Sequence, residues 1–113
     1  MIDPIYVYVA GPYRLPDPVE NTHRAAVVAD RLADLGYVPL VPHAATMLWH
    51  VIKPRPVEYW LEWDKQWLRK CDVMLRLPGL SHGSDAEEAL ADKLGIPVVF
   101  SVEQLVVKFP LGE

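Results

Sequence analysis

Two carboxylates hold unusual places in this chain of 113 residues. The stretch GLSHGSDAEEALA, residues 79–91, runs a small-residue loop straight into acids. A Gly/Ser-rich turn that opens a helix ordinarily holds an anion, because the first turn leaves N–H donors without intrahelical partners. Here the chain supplies its own anions, Asp85, Glu87 and Glu88. Ser84 followed three residues later by Glu87 reads as a capping box, with Ser84 at the N-cap and Glu87 at N3. Helical geometry adds a second reading. Glu87 shares its face with Leu90, Ala91 and Leu94, whereas Asp85 and Glu88 lie with Asp92 on the polar side. The preceding EYWLEWDKQWLRKC repeats the pattern: its apolar stripe runs Trp60, Trp67, Leu68 and Cys71, with Asp64 inside it and Glu58, Glu62, Lys65 and Arg69 on the outer face. Asp64 is either a buried helix-to-loop hydrogen-bonding residue or a functional one. If both inward acids reach one crevice, desolvation and mutual repulsion raise at least one pKa and leave a protonated acid beside an ionised carboxylate. That pair is the equipment for cleaving a glycosidic bond.

The elements that must position these acids alternate along the chain. IYVYVA (5–10) reads as a central strand covered on both faces. After the turn GPYRLPDPVE, helical spacing of Ala25, Val28, Ala29 and Leu32 predicts a helix over 21–35, stopped at Gly36. YVPLVPH (37–43) is a second strand whose Pro39 and Pro42 suit an edge or strand ends. AATMLWHVIKPRP holds at most a short helical turn. A helix over 57–70, a strand over 73–78, a helix over 84–94 and a strand over 96–100 follow, and SVEQLVVKF closes as a short helix or strand. The pattern predicts a single α/β domain over 1–113, a Rossmann/flavodoxin-like three-layer sandwich on a four- to five-stranded parallel sheet. Ligands of such sheets bind beyond the carboxyl ends of the strands, so GPYR and PGLSHGS are the loops of interest.

Composition narrows the chemistry. A net charge of −4 argues against polymeric nucleic acid, though one nucleotide needs only a local phosphate site. Apolar runs are strand-sized, well short of the roughly 18 residues of a membrane span. The N-terminus MIDPIYVYVAG lacks a basic n-region and reads as an opening strand rather than a signal peptide. Cys71 is the only cysteine, which fits a reducing, cytoplasmic setting. Histidines 23, 43, 50 and 82 show no ligand spacing, so neither a metal nor another cofactor is expected.

These residues resemble the nucleoside 2-deoxyribosyltransferase-like superfamily, in particular its 2′-deoxynucleoside 5′-monophosphate N-hydrolase and pyrimidine nucleotide hydrolase branch. The resemblance rests on A-G-P-Y (10–13), G-Y-x-P-x-x-P-H (36–43), W-D-x-x-W-L-x-x-C-D (63–72) and S-x-G-S-x-x-E-x-x-x-A (81–91), with G-I-P-V behind it. It implies that Glu87 is a nucleophile forming a covalent glycosyl-enzyme intermediate, and that Asp64 positions the sugar or assists departure of the base. Gly11, Pro12 and Tyr13 match the wall of the nucleoside pocket. Where the transferases carry an aspartate six residues before the nucleophile, this chain has Ser81. Together with Gly83 and Ser84 that favours a phosphate, and Arg14 is placed like the hydrolases' phosphate-contacting arginine. An exposed loop charge remains open for Arg14, and an ordinary turn for Ser81 and Gly83. The middle segment AATMLWHVIKPRPVEYW should line the base pocket. His43 and Met47 could meet a base there, or be a satisfied strand-end histidine and a core methionine. The implied ligand is a nucleotide or nucleoside. The implied assembly is a homodimer or higher homo-oligomer, because family sites are often completed by a neighbouring subunit. A deoxyribosyltransferase and a non-catalytic nucleotide-binding or sensing domain are the alternatives.

Overall fold

The computed structural model of the chain describes residues 3–111; the side chains of residues 45–48, Met47 among them, and the terminal Gly112 and Glu113 lie outside the described residues. In chain order the elements are β1 (Tyr6–Ala10), α1 (Pro18–Leu35), β2 (Val38–Leu40), α2 (Pro42–Ile52), α3 (Val57–Leu68), β3 (Val73–Arg76), α4 (His82–Leu94), β4 (Val98–Val99) and α5 (Val102–Lys108). The strands pair in parallel in the order β2-β1-β3-β4, with Tyr6 opposite Val38, Val7 opposite Val73 and Met74 opposite Val98. From β1 the chain moves to one edge and then returns to the other side. The crevice beyond the carboxyl ends of β1 and β3 is therefore the topological switch point.

Strand alternation builds two cores. Val7, Val9, Val73 and Leu75 point toward Ala25 and Leu32 of α1 and Val102 and Leu105 of α5. Tyr8, Ala10 and Met74 point the other way, against Leu68 of α3 and Ala91 of α4. Both sheet faces are covered, which is why β1 and β3 read as almost unbroken apolar runs. The result is the α/β three-layer sandwich of Rossmann/flavodoxin-like type, with four strands.

Several boundaries differ from the sequence reading, each for a local reason. Helix α1 starts at Pro18 because Asp17 caps it, accepting from Val19 N–H at 2.9 Å and Glu20 N–H at 3.4 Å. The second strand stops at Leu40, and Pro42 opens α2, where its missing N–H is no loss. The stretch after it forms an 11-residue helix rather than a short turn. Strand β4 shortens to Val98–Val99, and residues 102–108 form α5, capped by Ser101 Oγ, in place of a fifth strand. On α3, Trp67 does not join the buried stripe and is 46% exposed.

Candidate active site

The period of two along β1 puts Tyr8 on the α3/α4 face beneath both helices. A buried phenol needs a partner, and Tyr8 donates to Glu87 Oε2 at 2.5 Å. Glu87 is only 5% exposed. Across the helix pair it shares a hydrogen bond with Asp64 of α3, which two carboxyl groups can form only when one is protonated. Burial raises both: Asp64 to about 8 and Glu87 to about 7. The charge and the bond of Glu87 push Asp64 further up. Against burial, the Tyr8 hydroxyl, the charges of Arg76 and Lys65 and the bond from Asp64 pull Glu87 back. The shared proton therefore belongs on Asp64, and Glu87 is the ionised partner of a pair that titrates together. Tyr8 is itself held well above the usual phenol range, by burial first and then by both carboxylates, so it remains a donor. Asp64 Oδ1 is buried with no hydrogen-bond partner among the described residues.

The opening of α4 explains how Glu87 comes to face inward. Ser81, with extended backbone, is the N-cap, and its Oγ accepts from Ser84 N–H at 3.1 Å. The capping box expected of Ser84 and Glu87 is not formed. Ser84 lies inside the helix, 2% exposed, and its Oγ donates to the Gly11 carbonyl at 3.0 Å. Glu87 is then six residues past the cap and free of any capping duty. At Gly83 a Cβ would stand 3.0 Å from Leu61 Cδ2, so the missing side chain lets α4 close on α3.

The loop after β1 is fastened by side chains. His43, at the start of α2, sets Nε2 3.1 Å from the Gly11 carbonyl and 2.9 Å from that of Pro12. Two acceptors require the proton on Nε2; Nδ1 is buried and has no partner among the described residues. Burial lowers the pKa of His43, and the two carbonyls partly oppose that. The Tyr13 ring meets the imidazole edge-on, with centroids 5.4 Å apart. Asn21 Nδ2 donates to the carbonyls of Tyr13 and Leu15, each at 3.0 Å. Arg14 is exposed on this loop. Gly79, in the loop after β3, has φ of +120°, and a Cβ there would lie 2.5 Å from Pro12 Cγ, so the two loops touch where only glycine fits. The structure thus brings Gly11, Pro12, Tyr13, His43 and Ser84 together at the switch point, with Ser81 and Gly83 on the adjoining turn.

Sequence reading missed Tyr8 and Arg76. The tyrosine at the centre of YVYVA, whose neighbours Val7 and Val9 mark it as buried, and a lone arginine in VMLRLP were the available signals, since buried polar groups must find partners. Arg76 is 8% exposed. It donates to Asp85 Oδ1 at 3.1 Å, the Gly79 carbonyl at 2.8 Å and the Leu77 carbonyl at 3.2 Å, which braces the β3–α4 loop. Lys65, read as an outer-face residue, is half-buried and adds positive charge near Glu87. A cavity of about 290 Å³ is lined in part by Arg76, Asp85 and Phe100, and another of about 260 Å³ by Tyr6, Trp67 and Cys71. Neither is lined by Glu87 or Asp64. Among the described residues no cluster of His, Cys, Asp and Glu could hold a metal ion, and no helix is long and apolar enough to cross a membrane.

A family model described as a domain of unknown function, DUF7768, matches residues 5–101. No curated protein matches. Among solved structures, the chain is similar to a 2-deoxyribosyltransferase from the psychrotolerant bacterium Bacillus psychrosaccharolyticus, characterised as a biocatalyst for nucleoside synthesis. The TM-score is 0.59 at 19% identity, over 82% of this chain and 69% of that one, a likeness of fold.

Proposed function

The chain belongs to the DUF7768 family, whose description carries no activity, and from the site itself we propose that it is an N-glycosidase hydrolysing the base–sugar bond of a (deoxy)nucleoside 5′-monophosphate through a covalent glycosyl-enzyme intermediate. The observation that carries this reading is the buried pair of an ionised Glu87, held by Tyr8, and a protonated Asp64. Glu87 attacks C1′ and forms the glycosyl ester. The C1′–N bond breaks, and Asp64 gives its proton to the departing base. Asp64, now ionised, takes a proton from water, whose oxygen attacks C1′ and frees Glu87. In the free protein the two carboxyl groups are in hydrogen-bond contact, closer than the roughly 5–5.5 Å between acid and nucleophile in retaining glycosidases. Substrate must part them.

The phosphate is assigned to the Ser81–Gly83 turn and Arg14. Ser81 Oγ accepts one N–H as the cap and keeps its own O–H to donate, while Arg14 is exposed on the loop whose Gly11 carbonyl Ser84 holds. Ser84 supports this turn indirectly, since its hydroxyl is given to Gly11. The likeness of fold to a 2-deoxyribosyltransferase favours a second reading, in which another base rather than water takes the sugar. A homo-oligomer is the assembly we expect with either. Incubation with ribo- and deoxynucleoside monophosphates should release free base, and Glu87→Ala should abolish release. Cleavage of no nucleotide, or undiminished cleavage by the variant, overturns the reading. Adding a second free base separates the two branches, because only a transferase makes a new nucleoside.

A further inference from the structure

A buried arginine stands behind the site, and the reaction above gives it no step. Arg76 ends β3 opposite Ala10 of β1. It follows Met74 by two residues, so its side chain leaves the sheet on the α3/α4 side. A buried guanidinium has to place its donors. Nε donates to the Leu77 carbonyl, Nη2 to the Gly79 carbonyl and Nη1 to Asp85 Oδ1. The span from Leu77 to Asp85 encloses Ser81, Gly83 and Ser84. The Gly79–Leu80 peptide is trans, so turning its carbonyl toward Arg76 turns the Leu80 N–H away from it. One side chain thereby fixes how this turn presents its donors.

The ion pair with Asp85 is lopsided. The arginine side chain is 9% exposed and the aspartate 66%, so water screens the anion far more than the cation. Toward the interior the pair is therefore mainly positive, and that charge favours the ionised form of Glu87. The other groups facing Glu87 come from different elements. Tyr8 of β1 donates to it, Asp64 of α3 shares a hydrogen bond with it, and Lys65 of α3 adds charge but is drawn to within 3.7 Å of Glu62 on its own helix. On α4 itself, Asp85 and Glu88 turn to the cavity they line with Arg76 and Phe100. Within β3 the only charged residue is Arg76.

We propose that Arg76 is a positioning residue for this site with two separable effects: its fork of donors holds the turn that takes the phosphate, and its buried charge keeps Glu87 ionised for attack. The inference rests on the reaction proposed above, in which Glu87 is the nucleophile and the Ser81–Gly83 turn receives the phosphate. Arg76 acts through these two groups and not on the substrate.

The test compares Arg76→Gln, which removes the charge and keeps a donor for the loop carbonyls, with Arg76→Lys, which keeps the charge and loses the planar fork. The first readout is titration of the Glu87 carboxyl in the full chain, followed by carboxyl-carbon NMR without substrate. Its midpoint, about 7 in the parent, should move alkaline by about one pH unit in Arg76→Gln and by less than about half a unit in Arg76→Lys. Asp85→Asn removes a negative charge and should not move it alkaline at all. The second readout is calorimetric binding of deoxyribose 5-phosphate, the sugar product of the proposed reaction. Its Kd should rise about tenfold in both Arg76 variants, because each loses the fork. An unchanged midpoint in Arg76→Gln overturns the charge effect. So does an equal alkaline shift in Arg76→Lys or Asp85→Asn, since movement of the loop would then explain it. Failure of the parent to bind the sugar phosphate, or equally tight binding by both variants, overturns the holding effect. Neither readout needs turnover, so the two readings fail separately. Both shifts with no nucleotide cleaved sink the glycosidase reading alone. Cleavage by the parent with both readouts unmoved sinks the role of Arg76 alone.

Discussion

Replacing Tyr8 with phenylalanine removes one oxygen from a fully buried ring and nothing else. The hydroxyl donates to Glu87 Oε2 at 2.5 Å and is the largest influence opposing the burial that raises Glu87. A hydrogen bond to a charged group contributes about 1.5–3 kcal/mol, and about 1.4 kcal/mol corresponds to one pH unit. Without it, the acid limb of the rate profile, set near pH 7 by Glu87, should move alkaline by about one to two pH units. The basic limb, where Asp64 loses its proton near pH 8, belongs to the same coupled pair and moves less. The two limbs then meet, and the bell becomes lower, narrower and displaced to higher pH. At pH 7 the loss should be roughly five- to fiftyfold. The assay is kcat/KM for base release between pH 5 and 10, with far-ultraviolet circular dichroism to confirm the fold. A Tyr8→Phe profile of unchanged shape, scaled down equally at every pH, would refute the reasoning, because the hydroxyl would then act through packing alone.

Three further outcomes follow from the same geometry. Asp64→Asn should slow base release by about 10²–10⁴-fold and erase the basic limb; retention of that limb would assign it to another group. Glu87 and Asp64 titrate near 7 and 8 in the native protein against about 4 when unfolded. The native state therefore holds protons that the unfolded chain releases, and stability falls as pH rises through that window. Glu87→Gln should raise the melting temperature by roughly 10–15 °C at pH 9 and by almost nothing at pH 5, and a loss at pH 9 would contradict this. Gly79→Ala combines φ of +120° with a Cβ 2.5 Å from Pro12 Cγ and should destabilise the protein by about 2–3 kcal/mol in urea titration.

What the sequence makes legible is what periodicity controls. The inward faces of Glu87 and Asp64 follow from helical spacing, and the central strands from their apolar runs. Helix α2 is hidden because Pro42, Pro54 and Pro56 look like breakers, whereas Pro42 sits at N1, where proline suits a helix. The cap of α4 is ambiguous because Ser81 and Ser84 are three residues apart and both are good N-caps. Only the pull of the Gly11 carbonyl on Ser84 decides between them. Trp67 keeps helical register with the buried stripe, yet α3 ends one residue later and the ring stays at the surface. Tyr8 and Arg76 lie in strands whose pattern says only that they are buried. Their partners are distant in sequence or held in a loop, and no local spacing encodes them.

The carbonyl oxygen of Gly11 receives two donors at once, Ser84 Oγ–H and His43 Nε2–H. Three separate parts of the chain, the end of β1, the start of α2 and the first turn of α4, are thereby tied at one atom. Connections held by independent bonds can fray one residue at a time. Residues 11–17, with no secondary structure of their own, cannot lift without breaking both of these bonds together, and Asn21 holds the carbonyls of Tyr13 and Leu15 further along. In amide exchange this connection should open as one cooperative unit with the N-termini of α2 and α4, with the protection of a helix rather than of a loop.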